Sequence, residues 1–148
     1  MKINKVAVIG AGLMGSGIAA QVANAGFPVT LLDIVPDGAT NRNVIADSAV
    51  RKMLKPVKLG SPAPLMHKKN AKLITTGNID DNLDLIKDAD LIIEVVLERL
   101  DIKHDVFIKI QKHRKKGSIV TSNTSTIPRE QLVKGMSESF AKDFMITH

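Results

Sequence analysis

The sequence predicts an α/β fold built on a doubly wound, mostly parallel sheet with helices on both faces. Three observations predict it. Short apolar runs rich in β-branched residues recur along the 148-residue chain, and such runs suit strands that are buried on both faces. Segments with helical periodicity separate them, and this alternation is typical of parallel sheets. A glycine-rich segment directly follows the first apolar run.

The first 33 residues predict a strand–helix–strand unit. The run KVAVI, 5–9, predicts a first strand, and 13–25 carries apolar residues near helical spacing before Gly26, a common helix stop. The run PVTLLD, 28–33, predicts a second strand that ends in an acid. These three elements form a βαβ unit.

The rest of the chain continues the alternation after a polar, proline-rich stretch. That stretch predicts a helix over about 40–55 and an irregular loop over 56–70. The following segments predict, in order, a strand over 72–77, a short helix over 80–89, a strand over 90–96, an amphipathic helix over 99–116, a strand over 118–123, a helix over 128–133 and a strand over 143–148.

Composition narrows the classes of function. No apolar run approaches the roughly 20 residues that span a bilayer, and the N-terminal apolar stretch runs into glycines, so we expect neither a membrane span nor a signal peptide. The absence of cysteine excludes thiol catalysis and fits a cytoplasmic location. A net charge of +6 indicates either a solvated basic surface or an anionic partner, and aromatic residues are only 3% of the chain, too few to stack on single-stranded nucleic acid. A phosphate-bearing small ligand fits better.

The glycine-rich segment fits the pattern G-x-G-x-x-G, after a strand and at the start of a helix. In a Rossmann-type fold, the first glycine allows the tight turn, the second lets a pyrophosphate approach, and the third lets the helix pack on the strand. Asp33 would accept hydrogen bonds from the adenosine ribose and repel a 2′-phosphate, which favours NAD over NADP. The alternative is an ordinary glycine turn beside a solvated acid. The cofactor-binding candidates are Gly10, Ala11, Gly12, Leu13, Met14, Gly15 and Asp33.

Two other strand ends carry polar residues. Glu94 falls inside the fourth strand and Glu98 beyond it, where Glu98 is either a ligand contact or an acid at a helix start. The segment SNTSTIP, 122–128, either contacts a polar ligand or caps the next helix. Among the histidines, we expect a solvated setting for His67, His104 and His113, and no pair has metal-ligand spacing.

Four segments in this order resemble the NAD-binding domain of the L-3-hydroxyacyl-CoA dehydrogenases, enzymes of fatty-acid β-oxidation: VAVIGAGLMGSGIA, VTLLD, DLIIEVVLERLDIKHDVF and SIVTSNTSTI. The resemblance covers nearly the whole chain, and its SNTS and IEVV.E....K patterns are more specific than the glycines. It implies NAD-dependent oxidation of 3-hydroxyacyl-CoA to 3-ketoacyl-CoA. The loop GSPAPLM, 60–66, is similar to that of the longer bacterial fusion-type members.

The resemblance also assigns roles to residues. It implies that Glu98 and Lys103 contact the cofactor, and that Asn123 and Ser125 line the nicotinamide and the substrate hydroxyl. Ser48 and Lys55 keep the spacing of two coenzyme A contacts. Family members carry His-Phe-Phe-Asn-Pro after an apolar strand, and this histidine, the catalytic base, matches His148.

The sequence lacks the rest of that motif, the acid that orients the histidine and the helical C-terminal domain. We therefore expect residues 1–148 to be a Rossmann domain incomplete at its C-terminal end, which binds NAD without turnover. The resemblance implies a homo-oligomer for the longer protein. A related NAD-linked β-hydroxy-acid dehydrogenase and a stand-alone NAD-sensing module stay open, and a nucleic-acid binder rests on the charge alone.

Overall fold

A computed structural model describes residues 2–58 and 61–148 and confirms the predicted fold class. Six parallel strands form one sheet in the order β3-β2-β1-β4-β5-β6. The strands are β1 (Val6–Ile9), β2 (Val29–Asp33), β3 (Ile74–Asn78), β4 (Leu91–Glu94), β5 (Ile119–Ser122) and β6 (Phe144–Ile146).

Five α-helices lie in the described ranges. They are α1 (Leu13–Asn24), α2 (Val44–Met53), α3 (Leu100–His113), α4 (Arg129–Leu132) and α5 (Glu138–Lys142). Two 3₁₀ turns, Lys68–Leu73 and Leu83–Ile86, flank β3. Within these ranges, every helix is too short or too polar to span a bilayer.

Asparagine side chains explain two differences from the predicted elements. The helix predicted over 40–55 begins only at Val44, because the Asn41 side chain accepts from the backbone N–H of Asn43 and holds a turn there. The helix predicted over 80–89 is only a 3₁₀ turn, since the Asn78 side-chain oxygen accepts from the N–H groups of Asp80 and Asp81. These side-chain bonds compete with helix formation.

The irregular loop and the last helices also differ from prediction. The loop predicted over 56–70 runs into the first 3₁₀ turn, and its Leu59 and Gly60 lie outside the described residues. The helix predicted over 128–133 is the four-residue α4. The sequence did not predict α5, whose N-terminus is capped by Ser137 accepting from the Phe140 N–H.

Each face of the sheet carries its own apolar core, as a doubly wound fold requires. Ala7 and Ile9 of β1 point to the face covered by α3, where Phe107, Phe140 and Phe144 pack with ring centroids 5.2 to 5.7 Å apart. Val6 and Val8 point to the other face, which α1 and α2 cover. Small buried residues on α1, namely Ala19, Ala20 and Ala23, let it approach the sheet closely.

The strand order sets the position of the site. The chain builds outward from β1 through β2 to β3, then returns to the other side of β1 for β4, β5 and β6. Ile9 pairs in register with Leu32 on one side and with Glu94 on the other. The carboxyl ends of β1 and β4 therefore flank the topological switch point, where open α/β sheets bind ligands.

Candidate functional site

The glycine turn after β1 has the geometry that its pattern predicts. Gly10 adopts a φ of +111°, and a Cβ there would lie 2.5 Å from the carbonyl oxygen of Val95. A Cβ on Gly15 would lie 1.8 Å from the carbonyl oxygen of Gly10, so the helix needs glycine to approach the turn. Gly12 faces open space, with no atom within 4 Å of its added Cβ. The turn is closed on the protein side and open on the ligand side.

The N-terminus of α1 opens toward this space. Gly12 is the N-cap residue, no side chain caps the helix, and its first turn contains no acid. Gly12, Leu13 and Met14 are exposed. The first N–H groups of a helix have no intrahelical acceptor, and the helix dipole favours an anion there. The glycine turn and the N-terminus of α1 therefore form a cradle that fits the pyrophosphate of a dinucleotide.

Asp33 at the end of β2 is held against the glycine turn. Its Oδ2 accepts from the Ala11 N–H at 2.5 Å, and its Oδ1 accepts from the Ile34 N–H at 2.7 Å. The side chain is half-buried, so it is not the freely solvated acid of the alternative interpretation. A carboxylate fixed there stands next to the cradle with lone pairs left for further donors.

A crevice of about 330 Å³ lies at the switch point. Its walls are the glycine turn, residues 95–98 after β4, and Asn123 and Ser125 after β5. The structure thus brings together four groups of predicted site residues: Gly12 to Met14, Glu98, Asn123 and Ser125. Their roles toward NAD stay predictions.

Lys103 lies beneath this crevice, within the first turn of α3. Its side chain is 0% exposed, and its Nζ lies 2.8 Å and 3.0 Å from the two carboxylate oxygens of Glu94 and 3.3 Å from Glu98 Oε2. The residue predicted to contact the cofactor is therefore enclosed by two carboxylates in this structure. Sequence reasoning gave Glu94 no role, although an acid in an otherwise apolar strand signals a buried partner.

Glu98 fixes the loop after β5. Its Oε1 accepts from the Thr124 hydroxyl, from the Thr126 hydroxyl at 3.0 Å, and from the N–H groups of Ser125 and Thr126 at 3.2 and 3.3 Å. Burial opposes ionisation of this carboxyl, but the hydrogen bonds from Thr124, Thr126 and Lys103 outweigh it and lower the pKa of Glu98 to about 2. Glu98 thus joins β4 to the loop after β5.

The structure rules out one of the two interpretations given above for Glu98 and one of the two given for the segment 122–128. Glu98 is not the acid of the first turn of α3, which is Asp101. The segment 122–128 does not cap α4 through a side chain, because the N-cap residue is Pro128. Its threonine hydroxyls turn toward Glu98 instead.

We expect the free energy of unfolding to fall as the pH drops from 4.5 toward about 2. The pKa of Glu98 is lowered to about 2 from an ordinary value of 4.5, and hydrogen bonds from Lys115, Asn4 and Lys5 lower the pKa of Asp90 to about 2 from 3.8. A carboxyl group whose pKa is lowered by folding stabilises the fold at a pH above its ordinary pKa. This contribution is lost as the pH falls through the pKa that the group has in the folded state.

Urea unfolding at a series of pH values checks this expectation. The variant Glu98→Gln should show a shallower loss of stability across the same range than the original chain. Equal slopes in the two proteins would mean that the Glu98 hydrogen bonds do not stabilise the fold.

A second, larger cleft of about 810 Å³ lies between α1 and α2. Ser48 and Lys55, the two predicted coenzyme A contacts, both line it, together with Lys52. Gly12 and Leu13 belong to this cleft and to the smaller crevice. The two clefts therefore meet at the N-terminus of α1.

His148 lies on the same edge of the sheet as Ser125. Ile146 of β6 pairs in register with Ser122 of β5, and the Thr147 N–H donates to the Ser122 carbonyl at 3.1 Å. The chains leaving both strands therefore run side by side, and His148 and Ser125 are exposed. Within the described residues, no carboxylate is hydrogen-bonded to the His148 imidazole.

The other histidines were predicted to be solvated. This is confirmed for His67, which is exposed. It holds only in part for His104 and His113, which are partly exposed and whose imidazoles lie 2.8 Å from the backbone carbonyl oxygens of Gln131 and Lys109.

Comparison with known proteins identifies the family. Residues 5–148 match the profile described as 3-hydroxyacyl-CoA dehydrogenase, NAD binding domain. A probable 3-hydroxyacyl-CoA dehydrogenase of Deinococcus radiodurans is 47% identical over 148 residues, which are 100% of this chain and 42% of that protein. A putative fatty acid oxidation complex trifunctional enzyme of Rickettsia felis is 42% identical over 147 residues, 99% of this chain and 20% of that protein.

A solved structure agrees with these matches. The crystal structure of 3-hydroxybutyryl-CoA dehydrogenase from Escherichia coli K12 superposes with a TM-score of 0.75 at 26% identity, covering 100% of this chain and 30% of that one. The present chain spans less than half the length of each of these three proteins. It belongs to the 3-hydroxyacyl-CoA dehydrogenase family, and residues 5–148 correspond to the family's NAD-binding domain.

Proposed function

We propose that this chain is the NAD-binding part of a longer protein that oxidises L-3-hydroxyacyl-CoA to 3-ketoacyl-CoA in fatty-acid oxidation. One observation carries the proposal. A helix N-terminus with no capping side chain, an acid held against the glycine turn, and a loop fixed by Glu98 lie together at the switch point, and the first and last of these line the crevice there. The Deinococcus and Rickettsia relatives, by their names, support this reaction class.

The residues around this space would divide the binding of NAD between them. The N–H groups of the α1 N-terminus would hold the pyrophosphate, and Asp33 would accept from the adenosine ribose hydroxyls. Asn123 and Ser125 would then line the nicotinamide end, beside Glu98. When bound, NAD supplies a hydride acceptor for the substrate C3.

The substrate would be held from two sides. Ser48 and Lys55 line the larger cleft, where a cation and a hydroxyl suit the phosphates of coenzyme A. Ser125 would orient the 3-hydroxyl, and the imidazole of His148 would accept its proton as the general base. The same proposal includes a homo-oligomeric, cytoplasmic longer protein in which residues 1–148 are an incomplete domain.

An assay of the longer protein with NAD tests this function. We expect NADH absorbance to rise with L-3-hydroxybutyryl-CoA and to stay flat with free L-3-hydroxybutyrate, because only the thioester carries the phosphates that Ser48 and Lys55 would bind. Turnover of the free acid alone would instead favour a β-hydroxy-acid dehydrogenase. NAD binding without turnover of either substrate would favour an NAD-sensing module.

A further inference from the structure

Glu94 is a buried carboxylate with every hydrogen-bonding direction engaged. Its side chain is 0% exposed at the last position of β4. Oε1 accepts from the Val96 N–H at 2.7 Å and from Lys103, and Oε2 accepts from Lys103 and from the Ser122 hydroxyl at 2.5 Å. One side chain therefore connects β4, α3 and β5 directly below the crevice.

The charges of this network leave one carboxylate facing the ligand space. Lys103 and Glu94 are both fully buried, so each needs the other to offset the cost of leaving water. Glu98 is the third member, with its side chain 37% exposed. Since Glu94 offsets the charge of Lys103, the Oε1 atom of Glu98 is left to hold the hydroxyl and N–H groups of residues 124–126.

We propose that Glu94 is a positioning residue, which acts through Lys103 and Glu98 to set the loop Asn123–Thr126 in the geometry that receives the nicotinamide end of NAD. This inference rests on the function proposed above. Without the Glu94 charge, Lys103 would have Glu98 as its remaining carboxylate, and a closer Lys103–Glu98 pair would draw Glu98 away from the loop. The wall of the crevice formed by Asn123 and Ser125 would then lose its support.

The two ends of the dinucleotide separate this role from general stability. The proposed adenosine and pyrophosphate contacts, Asp33 and the α1 N-terminus, follow β2 and β1. The Glu94 network lies on the β4–β5 side. A defect confined to the network should therefore weaken the binding of NADH, which carries nicotinamide, and leave the binding of ADP-ribose, which does not, unchanged.

The test compares these two ligands on Glu94→Gln by calorimetry. We expect the Kd of NADH to rise about tenfold, as loss of hydrogen bonding to a charged group does, and the Kd of ADP-ribose to stay unchanged. The emission spectrum of bound NADH should also move toward that of free NADH, because it reports the surroundings of the nicotinamide. Asp105→Asn, at an exposed acid on α3, makes the same charge change and should alter the binding of neither ligand.

The outcomes are distinguishable. Unchanged NADH binding by Glu94→Gln, or equal losses for NADH and ADP-ribose, would overturn the positioning role. An original chain that binds neither ligand would overturn the proposed function itself. If Glu94→Gln does not fold, Ser122→Ala removes one donor to Glu94 without changing the charge. It should weaken NADH binding by less than the effect expected for Glu94→Gln and leave ADP-ribose binding unchanged. Unchanged NADH affinity in that variant would equally contradict the proposal.

Discussion

Gly15→Ala is expected to destabilise the domain and abolish NADH binding. The added Cβ would lie 1.8 Å from the carbonyl oxygen of Gly10, and the backbone atom it meets cannot rotate away as a side chain could. Relief requires the α1 N-terminus to move off the turn, which also displaces the pyrophosphate cradle. We expect a loss of at least about 3 kcal/mol in the free energy of unfolding, the upper end of overpacking effects.

Gly17→Ala is the matched control. Gly17 lies in the same helix, is exposed, and has no atom within 4 Å of an added Cβ. Alanine there should stabilise the domain by about 0.5 to 1 kcal/mol, because alanine loses less backbone freedom than glycine on entering a helix. Urea unfolding of both variants checks the pair. Similar urea midpoints for the two variants would show that stability does not depend on the close approach of Gly15 to Gly10.

The features that sequence predicted best depend on local pattern. The buried β-branched runs located all six strands to within two residues at each end, because such runs have few alternatives in an α/β chain. The glycine spacing indicated the turn correctly, since a positive φ at Gly10 and the close approach at Gly15 are local requirements. Asp33 belongs to the same local pattern, because it is the last residue of the second strand of the βαβ unit.

The features that sequence missed depend on contacts between distant segments. The partnership of Glu94, Lys103 and Ser122 joins three elements, and a single sequence gives no register between them. Asn78 ended a helix-like pattern by binding N–H groups that periodicity does not reveal. The short α5 is held by the packing of Phe140 against Phe107 and Phe144, which local propensity does not encode.

Asp33→Ala has the second-largest expected effect. The Asp33 carboxylate holds the Ala11 N–H of the glycine turn and would accept from the adenosine ribose. Hydrogen bonds to a charged group contribute about 1.5 to 3 kcal/mol, so NADH affinity should fall roughly 10- to 100-fold. Preference for NADH over NADPH should shrink as well, because the repulsion of a 2′-phosphate disappears with the carboxylate. Asp37→Ala, an exposed acid four residues later, should leave both affinities unchanged.

Calorimetric titration of NADH into the original chain and into Asp33→Ala tests the central claim most directly. That claim is that the bare N-terminus of α1 and the acid at the end of β2 together grip the diphosphate and sugar of NAD. It predicts one site per original chain and at least tenfold weaker binding by the variant. No heat from the original chain, or equal affinity in the two proteins, would contradict it.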